Sequence, residues 1–281
     1  MTQYASVLSD AAGQQNVQPP ALSVILCINR PNPWWQAAFA SVLAQDDPDF
    51  EFLIAANACT DEFWDSLQAM AQGDVRVRLF RTAIGQLSFN LNVLADQARG
   101  DYLVRMDADD ISATQRIATL RKRLEKSPVD ILGSAVLLID EGDQVIGRMN
   151  FPLAHADIVR ALKRRTVFCH PAVAIRRQFL LDMRGYLGGY HSEDTDLWLR
   201  ARRAGASMEN LPDALLSYRI HAQQSTSTRT GYAEVCGHWL REFLLHPSLY
   251  TLEGLSIAVA KALLKRILPG SRRYRTRQEV R

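Results

Sequence analysis

Cysteine is scarce in this sequence: Cys27, Cys59, Cys169 and Cys236 lie far apart and form no C-x-x-C pair. That excludes a disulfide-built scaffold, and free thiols fit a reducing, cytoplasmic setting. Long apolar runs are missing as well. No stretch approaches the ~18 uninterrupted apolar residues of a spanning helix. Residues 1–20 are polar, lack the apolar centre of a signal peptide, and read as a flexible lead-in closed by Pro19-Pro20. Glycine is absent from residues 27–33, which argues against a Gly-rich phosphate loop after the first strand and so against a nucleotidyltransferase. Basic charge is thin until the end. Residues 261–281 carry Lys261, Lys265, Arg266, Arg272, Arg273, Arg275, Arg277 and Arg281 against Glu279 alone, while the whole chain is only +3. The preceding residues are therefore net acidic, and no nucleic-acid-binding core is implied.

What remains is ordinary globular material: 281 residues, 47% apolar and 22% charged, enough for one large domain or one domain with an appendage. Leu22 to Ile28 is a nearly continuous apolar run, which suits a strand buried on both faces. Asn29-Arg30-Pro31-Asn32-Pro33 breaks it. A helix follows with Trp35, Phe39, Val42 and Leu43 on one stripe, and Asp46-Asp47-Pro48 ends it. Residues 50–55 read as a second strand, and Asp61 as the cap of a helix carrying Phe63, Trp64, Leu67 and Met70. Residues 75–80 alternate as a third strand, and 88–98 form a helix. A fourth strand starts at Tyr102, and a helix over 114–126 follows. Strand and helix alternate throughout, which predicts βαβ units, a mostly parallel sheet, and ligands beyond the carboxyl ends of its strands. Three such ends carry polar residues: Asn29-Arg30, Asn57 with Thr60-Asp61, and Asp107 to Asp110.

The last of these is the centre of the chain. Leu103-Val104-Arg105-Met106 runs into Asp107-Ala108-Asp109-Asp110. Clustered carboxylates cannot be buried unpaired, so the strand must end in a wet loop. Asp107 and Asp109 point to one side of an extended backbone, as hard donors for a divalent cation that also holds phosphates. The alternative is a helix N-terminus, with Ser112 or Thr114 as cap and the acids favoured by the helix dipole. Further on, 131–139 and 215–220 read as strands and 167–175 as extended, with Pro171 at an edge or bulge. Glu193 to Ala204 reads as a helix ending at Gly205. Residues 225–230 look like a linker. Two amphipathic helices, about Tyr232 to Phe243 and Leu252 to Leu268, complete the chain.

Taken together the motifs resemble the GT-A glycosyltransferases of family 2, the non-processive group that builds bacterial surface polysaccharides such as O-antigen. The resemblance runs from Leu22 to about Ser225. Its parts are Ser23-Val24-Ile25 to Asn29, Ser41-Val42-Leu43-Ala44-Gln45, Asn57 to Asp61, Asn92, and Gly100-Asp101-Tyr102 ahead of the D-x-D-D. His170-Pro171 with Arg176-Arg177, Gly185-Tyr186, Glu193-Asp194 to Arg200, and Leu216 to His221 follow in family order. The resemblance implies a Rossmann-like GT-A domain over 21–224 with a helical extension over 225–281. It also implies a nucleotide-sugar donor, with a UDP-sugar first, an inverting transfer, and Mn²⁺ or Mg²⁺. Asp109 and Asp107 would hold the metal, and His221 either joins them or is structural. Asn29, Arg30, Asn57, Asp61, Asn92, Asp107 and Ala108 would line the donor. Asp194 would be the base, with Glu193 beside it; without the resemblance both are ordinary acids at a helix start. His170, Arg176, Arg200 and Trp198 are candidates for acceptor or phosphate contact.

The sequence departs from the family at one place. Ala56 stands where the family usually has the aspartate that binds the nucleotide base, and Ala58-Cys59 replace its Gly-Ser. Asn57 or Asp61 substitutes, or the donor differs; a catalytically inactive nucleotide-sugar-binding or scaffold protein on the same fold is the rival reading. The Q-x-x-R-W signature of processive synthases is absent. The apolar and basic segment 251–281 is either a peripheral hold on the anionic inner face of the cytoplasmic membrane, suited to a lipid-linked glycan acceptor, or a helix packed on the catalytic domain with a disordered basic end.

Overall fold

The computed structural model describes residues 21–222 and 229–267, with side chains through 264. The expected lead-in, most of the expected linker, and the basic tail beyond residue 267 lie outside the described residues. The first half alternates as its hydrophobic pattern requires: β1 Leu22–Ile28, α1 Trp35–Leu43, β2 Phe50–Asn57, α2 Asp61–Ala71, β3 Val77–Thr82, α3 Leu87–Gln97, β4 Tyr102–Met106. Then come β5 Ile111–Ser112, α4 Arg116–Lys126, β6 Ile131–Ile139, β7 Val145–Met149, α5 His155–Leu162, β8 Ala174–Arg176, α6 Arg177–Asp182, α7 Glu193–Arg203 and β9 Met208–Arg219. The helices α8 Arg229–Leu245 and α9 Leu249–Ile267 follow.

The strands form one curled sheet in the order β3-β2-β1-β4-β8-β6-β9-β5, with β7 on β6. β3, β2, β1 and β4 are parallel, and β6 and β9 are parallel. β8, set antiparallel between β4 and β6, joins the two groups. Burial on both faces shows in the alternation. Leu22, Val24, Leu26 and Ile28 pack under α1, α2 and α4, whereas Ile25 packs on the opposite side with α3, α5 and α7. That is why β1 reads as an unbroken apolar run and not as an alternating one.

Several local expectations are corrected. Thr60, not Asp61, caps α2, its hydroxyl accepting the Phe63 N–H. Neither Ser112 nor Thr114 caps α4, whose Gln115 cap makes no side-chain bond. Ser112 instead belongs to β5, so the acid stretch is not a helix start. His170–Ala172 is a 3-10 turn where an extended segment was expected. β7, α5 and α6, at 5, 8 and 6 residues, are short elements outside the sequence reading; β9, at 12 residues, is longer than the 215–220 segment expected.

A polar knot fixes where β4 begins. The Ser23 hydroxyl donates to Glu51 Oε1 at 2.7 Å and accepts the Gly100 N–H at 2.9 Å, while Arg99 N–H donates to the same Glu51 oxygen at 2.6 Å. This ties the amino ends of β1, β2 and β4 together, and so sets how far β4 carries its acids past the sheet. A Cβ on Gly100 would sit 2.8 Å from the Leu22 carbonyl carbon. Gly100→Ala is therefore expected to destabilise by about 1–3 kcal/mol, as overpacking against immovable backbone does. A denaturant midpoint equal to wild type would contradict this.

Candidate active site

The site begins with the pleat of β4. Leu103 faces the layer covered by α3 and α7, so Arg105 and then Asp107 share that side. Arg105 is 2% exposed. Its Nη1 pairs with Asp107 Oδ1 and donates to the Met106 carbonyl at 2.6 Å. The chain then turns into β5, which pairs antiparallel with β9, Ile111 opposite Ser217. That register brings Asp109 and Asp110 beside the end of β9. Asp110 Oδ1 accepts the Arg219 N–H at 2.9 Å, Arg219 Nε donates to the Asp109 carbonyl at 2.7 Å, and His221 Nε2 lies 2.8 Å from Asp109 Oδ2. The Trp34 ring covers both, 4.8 Å from the His221 ring and 5.0 Å from the Arg219 guanidinium. Asn32 Nδ2 donates to the Ala108 carbonyl at 3.2 Å.

Carboxylate oxygens of Asp107, Asp109 and Asp110 gather within 4.8 Å of one another. Burial, with repulsion from Asp107, raises the pKa of Asp109, and burial with repulsion from Asp107 and Asp109 raises that of Asp110 more strongly. Asp110 Oδ2 is buried and has no hydrogen-bond partner among the described residues. A buried carboxylate oxygen without a partner needs either a proton or a ligand, and a cation bound by the cluster would supply the second. Three hard oxygens with an adjacent imidazole fit a divalent cation of the Mg²⁺ or Mn²⁺ type.

A second acidic pair opens α7. Glu193 is pushed up to about 7 by burial and by neighbouring Asp194. Asp194 is also raised, by burial, although Oδ1 accepts the Thr195 N–H at 2.6 Å. His170 Nδ1 lies 3.9 Å from Glu193 Oε1, and its Nε2 is 2.9 Å from the Tyr186 hydroxyl. Burial and the Arg105 charge hold His170 well below the usual histidine range, so it stays neutral. The Arg105 charge also acts on Glu193 and Asp194. The charge of one buried guanidinium is thus felt by both acidic groups.

The remaining expected residues fall into two sets. Asn29 and Arg30 are exposed at the carboxyl rim, as is Asp61, which pairs with Arg81. Asn57 belongs to the wall: it is buried, and its Nδ2 donates to the Ile28 carbonyl at 3.1 Å. Asn92 clamps a backbone, its amide bonded to both the N–H and the carbonyl of Tyr186 at 2.8 and 2.9 Å. Three acceptor or phosphate candidates are corrected. Arg176 pairs with Asp130 opposite Tyr102, at the start of β4, five residues (about 17 Å of strand) from Asp107. Arg200 is buried and spent on Asp196 and the Met183 and Gly185 carbonyls. Trp198 is 1% exposed and packs on Phe168, so it offers no face to a sugar. Arg105, Asp110, Arg219 and Trp34 were given no role from the sequence. An arginine amid the apolar residues of a buried strand was the one available signal, because such a charge needs a partner.

The glycosyl transferase family 2 model matches residues 23–184. The chain is 32% identical over 248 residues to the O-antigen biosynthesis glycosyltransferase WbnJ of Escherichia coli, covering 87% of this chain and 97% of that one. Among solved structures, S. aureus TarS 1–349 with UDP-GlcNAc superposes with a TM-score of 0.66 at 17% identity, over 85% of this chain and 71% of that one. The mannosyltransferase PcManGT of Pyrobaculum calidifontis with GDP-Man and Mn²⁺ gives 0.61 at 18%, over 90% and 77%. The fold is that of the GT-A glycosyltransferases, and the chain belongs to glycosyl transferase family 2.

The Glu193 shift has a consequence for stability. A carboxyl raised in the folded state stabilises relative to its ionised form below the unfolded pKa, near 4.5, and that contribution is lost as pH rises through about 7. Glu193→Gln should therefore melt with wild type at pH 4.5 and above it at pH 8, by on the order of 3 kcal/mol. Equal melting temperatures at pH 8 would contradict the burial of this charge.

Proposed function

We propose that the chain is an inverting, cation-dependent transferase that moves one sugar from a UDP-sugar to a lipid-linked glycan during bacterial surface polysaccharide synthesis. One observation carries the reading: three carboxylates gathered within 4.8 Å of one another, with an oxygen of Asp110 left without a partner among the described residues, share the field of buried Arg105 with a second carboxylate pair at the start of α7. A divalent cation held by Asp107, Asp109 and Asp110, with His221 beside it, would offset the negative charge that builds on the departing diphosphate. Arg105 fixes the Asp107 rotamer, and His221 orients Asp109. Asp194, with Glu193, accepts the proton of the attacking acceptor hydroxyl from the side away from the diphosphate, which inverts the anomeric centre. Neutral His170 keeps a second positive charge away from that pair, so its basicity is preserved. The kinship with WbnJ supports the polysaccharide context. The UDP-GlcNAc and GDP-Man bound by the two structural neighbours support a nucleotide-sugar donor.

Calorimetry with UDP and Mn²⁺, paired with a transfer assay, tests the assignment and separates it from an inactive scaffold. Asp109→Asn should lose the gain in UDP affinity that Mn²⁺ confers. Asp194→Asn should keep that gain yet lose transfer by about 10²–10⁴-fold. An Asp194→Asn chain with full transfer would remove the base, and wild type that binds UDP without turnover would favour the scaffold.

The membrane contact has its own support. No helix among the described residues is long and apolar enough to cross a bilayer. Yet Leu244, Leu245, Leu249, Leu263 and Leu264 on α8, α9 and their junction are each more than half exposed, just ahead of the basic tail. Apolar insertion and basic residues together give stable interfacial binding where either alone is weak. The paired change Leu263→Glu and Leu264→Glu should abolish sedimentation with phosphatidylglycerol vesicles and leave UDP binding unchanged. Undiminished sedimentation would end the idea.

A further inference from the structure

The acceptor must reach Glu193 and Asp194 from solvent; of the candidates for its contact only His170 lies beside them, and its side chain is largely buried. The segment between Tyr186 and α7 is placed for the task. Leu187 is 56% exposed and Tyr190 72%, three residues ahead of Glu193. Apolar groups exposed singly are ordinary on a surface, but the loops that carry them are commonly mobile. This one is held. Glu234, on α8, accepts the Tyr190 N–H at 2.9 Å through Oε1, and the His191 N–H at 3.0 Å and the Ser192 hydroxyl at 2.8 Å through Oε2. Those three donors outweigh burial and hold Glu234 below the usual carboxylate range. His238, one turn further along α8, places Nε2 3.0 Å from the Ser192 hydroxyl. Gly189 sits at φ +83°, and a Cβ there would lie 2.9 Å from the Glu193 nitrogen, so the loop folds tightly onto the start of α7. The Tyr190 ring stands edge-on to the His191 ring, 4.8 Å between centroids, with its outer face open.

We infer that Leu187–His191 is the acceptor platform: Tyr190 stacks on the C–H face of the acceptor sugar, and Glu234 is the positioning residue that holds the platform against the base. The inference rests on the transfer chemistry proposed above. A pyranose shows one apolar face of axial hydrogens and an equatorial rim of hydroxyls. An aromatic face beside the base orients such a ring by the first and leaves the second free to react. The loop also links the two ends of the chain's task. Its tether lies on the same helical hairpin that displays the leucines toward a lipid surface, so a glycan on a lipid carrier is met by one continuous element.

The test uses saturation-transfer NMR on the full chain with UDP and Mn²⁺, with a panel of p-nitrophenyl mono- and disaccharides as probes at millimolar concentration. For the saccharide that binds wild type best, Tyr190→Ala should weaken binding about tenfold and Tyr190→Trp should restore it, with UDP affinity unchanged in both. Tyr190 is exposed, so these variants fold. Glu234→Gln should weaken the same saccharide several-fold, again without moving UDP affinity, which a merely destabilised chain would lose as well. The inference is overturned if Tyr190→Ala binds the saccharide as wild type does, or if no saccharide in the panel binds. Failure of wild type to bind UDP with Mn²⁺ would instead overturn the donor assignment, so the two readings fail separately.

Discussion

The structure depends on how Arg105, Arg219 and His221 are set against the clustered negative charge of Asp107, Asp109 and Asp110. Three carboxylates at the end of one strand repel one another, and burying any of them costs several kcal/mol unless it is paired. The chain supplies partners from distant segments: Arg105 from within β4, and Arg219 and His221 from the end of β9. The second half of the fold makes this possible. β9 runs parallel to β6 and antiparallel to β5, and that arrangement returns a strand end to the acids some 110 residues after they leave the sheet. Even so, Asp110 Oδ2 lacks a partner among the described residues. Under the proposed reading a divalent cation would meet the three acids here.

Arg105 carries a second consequence. Alternation along β4 sends it to the face covered by α7, where its charge acts on the Glu193-Asp194 pair, while Nη1 remains on Asp107. Were the two acidic groups adjacent without it, both would be driven toward protonation. A guanidinium cannot deprotonate near neutral pH, so it is a constant where a histidine would be a variable. His170 shows the complement, an imidazole kept neutral by burial and by that same charge. An environment that pushes Glu193 toward neutrality while keeping a nearby cation permanent would let one site serve both of the proposed tasks, charge stabilisation and proton removal.

Much of this was legible in the chain. The four parallel strands announced themselves through apolar runs that end in polar residues, because burial on both faces leaves no other pattern. The acid stretch and the Glu193-Asp194 pair were visible as residue types. What was hidden is what depends on tertiary contact. Asn57 and Asn92 look like ligand groups in a sequence and are backbone clamps in the fold, since a side-chain amide serves either use equally well. Arg200 and Trp198 share a helix with Glu193 and Asp194, but a helix has a buried side, and only packing says which residues take it. Glu234 sits more than 40 residues from the loop it grips, in a segment whose amphipathic pattern speaks of packing alone.

The departure at Ala56, Ala58 and Cys59 bears on whether the chain still does chemistry. Ala56 is fully buried in β2, so no carboxylate reaches a nucleotide base from there. Ala58 adopts φ 47°, a left-handed conformation that glycine takes freely and alanine takes at a cost of ~1–2 kcal/mol. Its N–H still donates to the Thr82 carbonyl at 2.8 Å. The chain thus bears strain to keep the shape of this turn while giving up the carboxylate within it. A surface no longer used to seat a nucleotide has no reason to retain a strained turn. The departure falls where the family resemblance implies base recognition, whereas Asp107, Asp109, Asp110 and His221, proposed to serve the diphosphate, stand together. Under the proposed function that pattern would relax the reading of the base and leave the reacting half in place. Nearby at the rim, Asp61 and Arg81 pair beside the Trp64 ring, 5.6 Å from the guanidinium, and offer another hydrogen-bonding edge on which a base can be read.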